Sequence, residues 1–198
     1  MTLRSSIIML SELETTPRFE QLCYDTLRAR LEEVGSMVAR DVYVLSCLIH
    51  DEEDDPTRPT LTLGFNTLSR LTECTPSPTK QPGWPVASDA LEAKWNYAFW
   101  LHNELCVIGR ESTETAPPRN EWISSLLDYY DKTQYFVDLC VRVARRLHRD
   151  RVISRVFGRP IPIVVHELEY SDKIAHQTSA ANPDGVADEF VDWVLYRQ

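Results

Sequence analysis

The stretch from Asp41 to Phe65, DVYVLSCLIHDEEDDPTRPTLTLGF, decides how this chain folds. In its first part Val42, Val44 and Leu48 alternate with Tyr43, Leu45, Cys47 and Ile49. Both faces are apolar, which is the pattern of a central strand covered on two sides. In its last part Thr60-Leu61-Thr62-Leu63-Gly64-Phe65 alternates polar with apolar, giving a strand with one apolar face. Between the two lies His50-Asp51-Glu52-Glu53-Asp54-Asp55-Pro56-Thr57-Arg58-Pro59. Carboxylates beside an imidazole are the materials of a metal site or an acid/base pair. Adjacent carboxylates repel one another, however, and an extended backbone sends neighbouring side chains to opposite sides. The segment also lacks the alternate-position ligands and internal glycine of a calcium loop. It is expected to be the solvated tip of a hairpin.

Outward from this hairpin the pattern becomes helical. Phe19, Leu22, Cys23, Leu27, Leu31 and Val34 recur at spacings of three and four between Pro17 and Gly35, predicting an amphipathic helix. Residues 1–16 are expected outside it, as an N-terminal segment with freedom to move, and residues 17–198 as a single α+β domain. Asn66 is positioned to cap a short helix through Cys74. Pro76, Pro78, Pro82, Gly83 and Pro85 then mark an extended connection. Lys94-Trp95-Asn96-Tyr97-Ala98-Phe99-Trp100 alternates and is dense in aromatics, and is expected to be a third strand. Pro117-Pro118 closes a loop before a helix from Asn120 to Tyr130. From Thr133 to Arg149, Phe136, Leu139, Cys140, Val143, Ala144 and Leu147 share one face and charged residues the other. Ile161 to Leu168 gives a further apolar strand, and Asp184 opens a C-terminal helix carrying Phe190 and Trp193. A hairpin followed by segregated helices predicts an α+β fold: a single mixed or antiparallel sheet of about four strands packed with helices.

Composition sets the outer limits. Of 198 residues, 43% are hydrophobic and 26% charged, ordinary values for a globular protein. The formal charge is −9, from 30 acidic and 21 basic residues. That excess opposes binding to a phosphate backbone and favours encounter with a basic partner. Cys23, Cys47, Cys74, Cys106 and Cys140 are scattered, with no Cys-x-x-Cys, so a reduced, cytoplasmic protein is expected. The N-terminal apolar run Ile7-Ile8-Met9-Leu10 is too short for a signal peptide, and no run reaches the length of a membrane span.

Few residues carry the marks of chemistry. His102, Glu104, Cys106, His166 and Asp172 are the candidates for a catalytic site assembled from dispersed residues. No metal-ligand, phosphate-loop, dinucleotide or nucleophile-elbow motif joins them, so neither metal nor cofactor is expected. His166 shares a strand face with Val164 and Leu168, where a hydrogen-bonded histidine is the ordinary occupant. Arg142, Arg145, Arg146, Arg149, Arg151, Arg155 and Arg159 form a basic run holding seven of the 21 basic residues. Its first four define a patch, read either as cations at a helix C-terminus paired with carboxylates or as a phosphate or nucleic-acid surface.

Lys94-Trp95-Asn96-Tyr97-Ala98-Phe99-Trp100 resembles the paired-tryptophan segment of an uncharacterised bacterial domain-of-unknown-function family of about this length, with Phe99 where that family often has an acidic residue. Tyr170-Ser171-Asp172, followed by Asn182-Pro183 and Glu189-Phe190, is similar to its Ser-Asp turn and Asn-Pro helix start. The resemblance runs from the first helix to the end and implies an α+β bacterial domain, some similar small acidic proteins being immunity partners of secreted toxins. The expectation is therefore a protein-interaction protein, an immunity-type binder of a basic partner, with Asp51, Glu52, Glu53, Asp54 and Asp55 in the attracting surface. The alternatives are an enzyme using the dispersed candidates and a nucleic-acid-associated module using the arginines.

Overall fold

A computed structural model describes residues 2–79, 85–128 and 131–196, with side chains from Thr15 onward. Pro82 and Gly83 of the proline-rich connection, and Tyr129 and Tyr130, lie outside the described residues. In chain order the elements are α1 (Thr2–Glu32), α2 (Ser36–Asp41), β1 (Val42–Asp51), β2 (Pro59–Thr67), α3 (Leu68–Cys74), α4 (Ala90–Trp95), β3 (Cys106–Ile108), α5 (Ala116–Ser125), α6 (Lys132–Arg149), α7 (Val152–Phe157), β4 (Ile163–His166), α8 (Asp172–Ala181) and α9 (Asp188–Tyr196). One mixed sheet of four strands in the order β3-β2-β1-β4 carries them, so the class is α+β.

The opening stretch forms the centre of this sheet. β1 and β2 pair antiparallel from Val42↔Thr67 to Asp51↔Pro59, and β4 joins the other edge of β1 in parallel, Leu45 facing Ile163. The two-sided apolarity of β1 follows from that position. Leu45, Cys47 and Ile49 join Leu61, Leu63 and Ile163 in a core shared with α1, α5 and α6. Tyr43, Val44 and Val164 face a second cluster built by Trp95, Trp100, Ile174 and Phe190.

α6 has the expected frame. Phe136, Leu139, Cys140, Val143, Ala144 and Leu147 are buried, and Asp131 caps the start by accepting from the Gln134 N–H. α7 stops at Gly158, whose φ of 71° is the left-handed conformation that ends many helices.

Several boundaries differ from the sequence expectation. Residues 94–100 are not a strand: α4 runs through Trp95, and Tyr97–Phe99 form a single 3-10 turn. Asp89 accepts from the Glu92 N–H while the Glu92 carboxylate accepts from Ser88, which starts a helix that Ala-Leu-Glu-Ala sustains. Asn96 then caps the next turn through the Ala98 N–H, so the alternating aromatics are buried from irregular backbone. The remaining strand is the three-residue β3, paired with β2 from Leu61↔Ile108 to Leu63↔Cys106. Pro117 and Pro118 lie inside the first turn of α5, where missing N–H groups cost nothing. Asp184 belongs to a turn closed by Val186 N–H to Pro183 O, and the last helix opens at Asp188. α1 begins at Thr2 and passes through Pro17. The Thr16 hydroxyl accepts from the Trp122 indole, and Thr15 hydrogen-bonds Ser125, so this part of α1 is fixed to α5. None of the five cysteines, all among the described residues, forms a disulfide, and no helix among the described residues is long and apolar enough to cross a membrane.

Candidate functional site

The hairpin connection is more than a solvated tip. Glu52–Asp54 form one 3-10 turn in which Glu53 and Asp54 have φ of 58° and 56°, left-handed conformations that non-glycine residues rarely adopt. The turn is closed by Glu52 N–H to Arg58 O and Arg58 N–H to Asp55 O, while the Asp55 carboxylate accepts from the Thr57 N–H and hydroxyl. Arg58 forks onto Glu52 at 3.1 Å and Glu53 at 2.5 Å. Behind it Arg119 of α5 is completely buried, its Nη2 lying 3.9 Å from Glu52 and 3.8 Å from Glu111. The chain after β3 packs closely here: Gly109 has φ 88°, and a Cβ on it would lie 2.9 Å from Pro59 O and 3.4 Å from Arg119 Cγ. Asp51 accepts from the Thr133 hydroxyl at 2.9 Å. Partial burial, and then the nearby Glu167 and Asp131 carboxylates, push the Asp51 carboxyl above its ordinary range. Acidic groups from four segments thus converge on one end of the molecule. Asp51 and Glu52 are braced inward, while Glu53 and Asp54 are exposed.

The catalytic candidates do not assemble. Glu104 is locked to Arg110 at 2.7 Å. Cys106 packs toward α1, and burial raises its thiol to about 11. Asp172 is exposed in the first turn of α8. Only His102 and His166 approach each other, through the Tyr97 ring, whose centroid lies 4.7 Å from one imidazole and 4.8 Å from the other. His102 is exposed and contacts Tyr97 O at 2.8 Å.

His166 has a partner that the list of candidates lacked: the Ser46 hydroxyl, 2.8 Å from Nε2. Nδ1 donates to Glu167 O at 2.9 Å, which leaves Nε2 free to accept from the serine. This is the order of a nucleophile, a base and an orienting group, but the surroundings remove the chemistry. Burial depresses His166 to about 4, so it is a weak base. Ser46 sits between Gly64 and Val164 in the ladder, where neighbouring N–H groups are committed to the sheet and not to an oxyanion. The crevice bounded by Ser46, Gly64, Tyr97 and Trp100 has no room for a water molecule. The pair is a satisfied polar contact inside the second core. Its sequence signal was a lone serine within a strand otherwise apolar on both faces.

The arginine patch lines a roomier place. Arg142, Arg145, Arg146 and Arg149 stand along one side of a groove of about 530 Å³, with Asn182, Pro183 and Asp184 opposite. Arg142 pairs with Glu20 at 2.9 Å, and Arg149 with Asp150 at 3.2 Å. Arg146 donates to Gln21 and lies 3.8 Å over the Tyr24 ring. Farther along, Arg155 pairs with Glu32 at 2.6 Å, and Arg159 donates to Val42 O. Among the described residues no group of three or more His, Cys, Asp or Glu side chains is placed to hold a metal ion. Comparison with family models, curated proteins and solved structures returns no match to this chain, so no activity is lent to it by likeness.

Proposed function

We propose that this chain is a protein-interaction protein that docks a basic partner on its acidic end. An immunity-type binder that covers a toxin's basic surface is the form of this reading that the family resemblance implies. The observation that carries it is the paired left-handed conformation of Glu53 and Asp54 at an exposed, charge-dense tip. Backbone strain of this kind costs on the order of 1 kcal/mol or more per residue and persists only where the surroundings enforce it. Here the turn is closed by the Asp55 N–H to Glu52 O and Glu52 N–H to Arg58 O bonds, Arg58 pairs with Glu53, and the buried Arg119 lies 3.9 Å from Glu52, so cations stand beside the clustered carboxylates. Fixed charges steer encounter and lower the entropy lost on docking. A catalytic reading draws no support from the geometry, since Glu104 is paired with Arg110, Cys106 packs against the main core and Asp172 is exposed on α8.

The test is capture of a partner from the source cells on the immobilised chain, followed by association kinetics with the identified protein. The E53Q/D54N variant keeps the side-chain sizes and removes two exposed charges. It is expected to associate about tenfold more slowly, with a shallower salt dependence. Recovery of no stoichiometric partner, or an association rate the same in wild type and variant, overturns the proposal.

A further inference from the structure

We propose that the groove beside the C-terminal half of α6 binds the phosphate chain of a small molecule, an oligophosphate of the nucleoside triphosphate class. Arg142, Arg145, Arg146 and Arg149 follow the i, i+3, i+4, i+7 spacing that puts side chains on one helix face. Seven residues of helix spread these guanidiniums over about 10 Å. That is too long for one phosphate and suits several phosphates in a row. Guanidinium forks match phosphate oxygens in pairs, which ammonium groups do not.

The groove's volume, about 530 Å³, lies in the range of small-molecule sites. Its far wall is fixed before any ligand arrives. Asn182 Oδ1 accepts from the Ile163 N–H at 2.8 Å, and Nδ2 donates to Ile163 O and Thr178 O, each at 2.8 Å. Those bonds set the direction of the amide, so His148 Nε2, 3.0 Å from Oδ1, is a donor. One asparagine therefore fastens α6, β4 and α8 together around the groove.

Three of the four arginines are available, while Arg146 is held by Gln21, Asp150 and the Tyr24 ring. Arg145 is exposed and makes no hydrogen bond or ion pair among the described residues. The pairs of Arg142 with Glu20 and of Arg149 with Asp150 are solvent-exposed contacts of the kind that contributes little and exchanges readily. The lining also bears Glu20 and Asp184, and the whole chain carries −9. Those charges repel a long nucleic acid, whose backbone would run beyond the arginines, and leave a compact anion as the better fit.

The test is calorimetric titration of the full chain at roughly 0.1 M salt with sodium tripolyphosphate, ATP and a single-stranded oligonucleotide. Tripolyphosphate and ATP are expected to saturate one site, and R145Q/R149Q is expected to weaken both by about tenfold or more with unchanged melting. Equal affinities mean that the phosphate chain alone is held; tighter ATP binding means that the nucleoside adds contacts. Three results overturn the assignment: no saturable heat up to about 5 mM ligand, a variant that binds as wild type does, or an oligonucleotide that binds more tightly than tripolyphosphate.

Discussion

His166 and Asp51 respond to acid in opposite directions. Burial lowers the His166 imidazole to about 4, below its unfolded value, so the unfolded chain takes up this proton first. Its contribution to stability is complete above the unfolded pKa and is lost as pH falls from there toward about 4. The loss amounts to about 3 kcal/mol in all, with a slope no steeper than about 1.4 kcal/mol per pH unit. His148, also depressed by burial, acts in the same sense. Urea unfolding at pH 7 and pH 4.5 checks this: H166Q, whatever its stability at pH 7, is expected to lack most of that drop. An equal drop in both proteins would show that His166 does not titrate as its burial requires. Asp51 has the reverse sign. Its carboxyl is raised, so the ionised form costs stability at neutral pH, and the cost disappears as pH falls through the folded value. D51N keeps an acceptor for Thr133 and removes a charge crowded by Asp131 and Glu167. Because the site is half-exposed, the gain is small, a rise in Tm of about 1–2 °C at pH 7 that vanishes below pH 3. A Tm that falls at pH 7 would mean that the Thr133 contact outweighs the repulsion.

At the scale of elements, β2 has an edge that a side chain completes. Asn103 accepts from the Phe65 N–H and donates to Phe65 O, both at 2.9 Å, so its amide stands in for a strand where β3 has not yet begun. The contact requires Gly64, since a Cβ there would lie 2.6 Å from Asn103 O. G64A is expected to cost about 2–3 kcal/mol in urea unfolding and N103A about 2 kcal/mol. The double variant is expected to cost clearly less than the sum, because both changes break one contact; strict additivity would place the clash elsewhere. This kind of pairing also explains what the sequence hid. The β1–β2 hairpin and α6 were legible because their periodicity is set by burial on the sheet and the main core. β3 is too short to carry a period, and its place was assigned to residues 94–100, whose alternating aromatics are buried by a cap at Asp89 and a turn at Asn96 instead. The candidate histidines were visible as residue types, but Ser46, 120 positions from His166, becomes its partner only through the parallel pairing of β1 with β4. The bracing of the acidic tip by Arg119 was hidden for the same reason.

At the scale of the molecule, α6 separates two charged ends. Its first turn meets the acidic hairpin through Thr133 and Asp51, and its last turns carry the arginine groove. This order also suits the helix dipole, positive near the carboxylates and negative near the guanidiniums. From Thr133 to Arg146 the helix spans about 20 Å, more than two Debye lengths at physiological salt, where that length is about 8 Å. The two proposed sites should therefore act independently in that solvent. E53Q/D54N is expected to change tripolyphosphate affinity by less than about twofold at 0.15 M salt. At about 0.01 M the Debye length grows to about 30 Å and exceeds the separation, so the same substitution should then measurably tighten or weaken anion binding through the field alone. Its sign follows from charge: removing negative charge at the far end raises the potential in the groove, so affinity should increase. Coupling that persists undiminished at 0.15 M would require a mechanical link through α6 rather than an electrostatic one, and would make the helix a lever between the two ends.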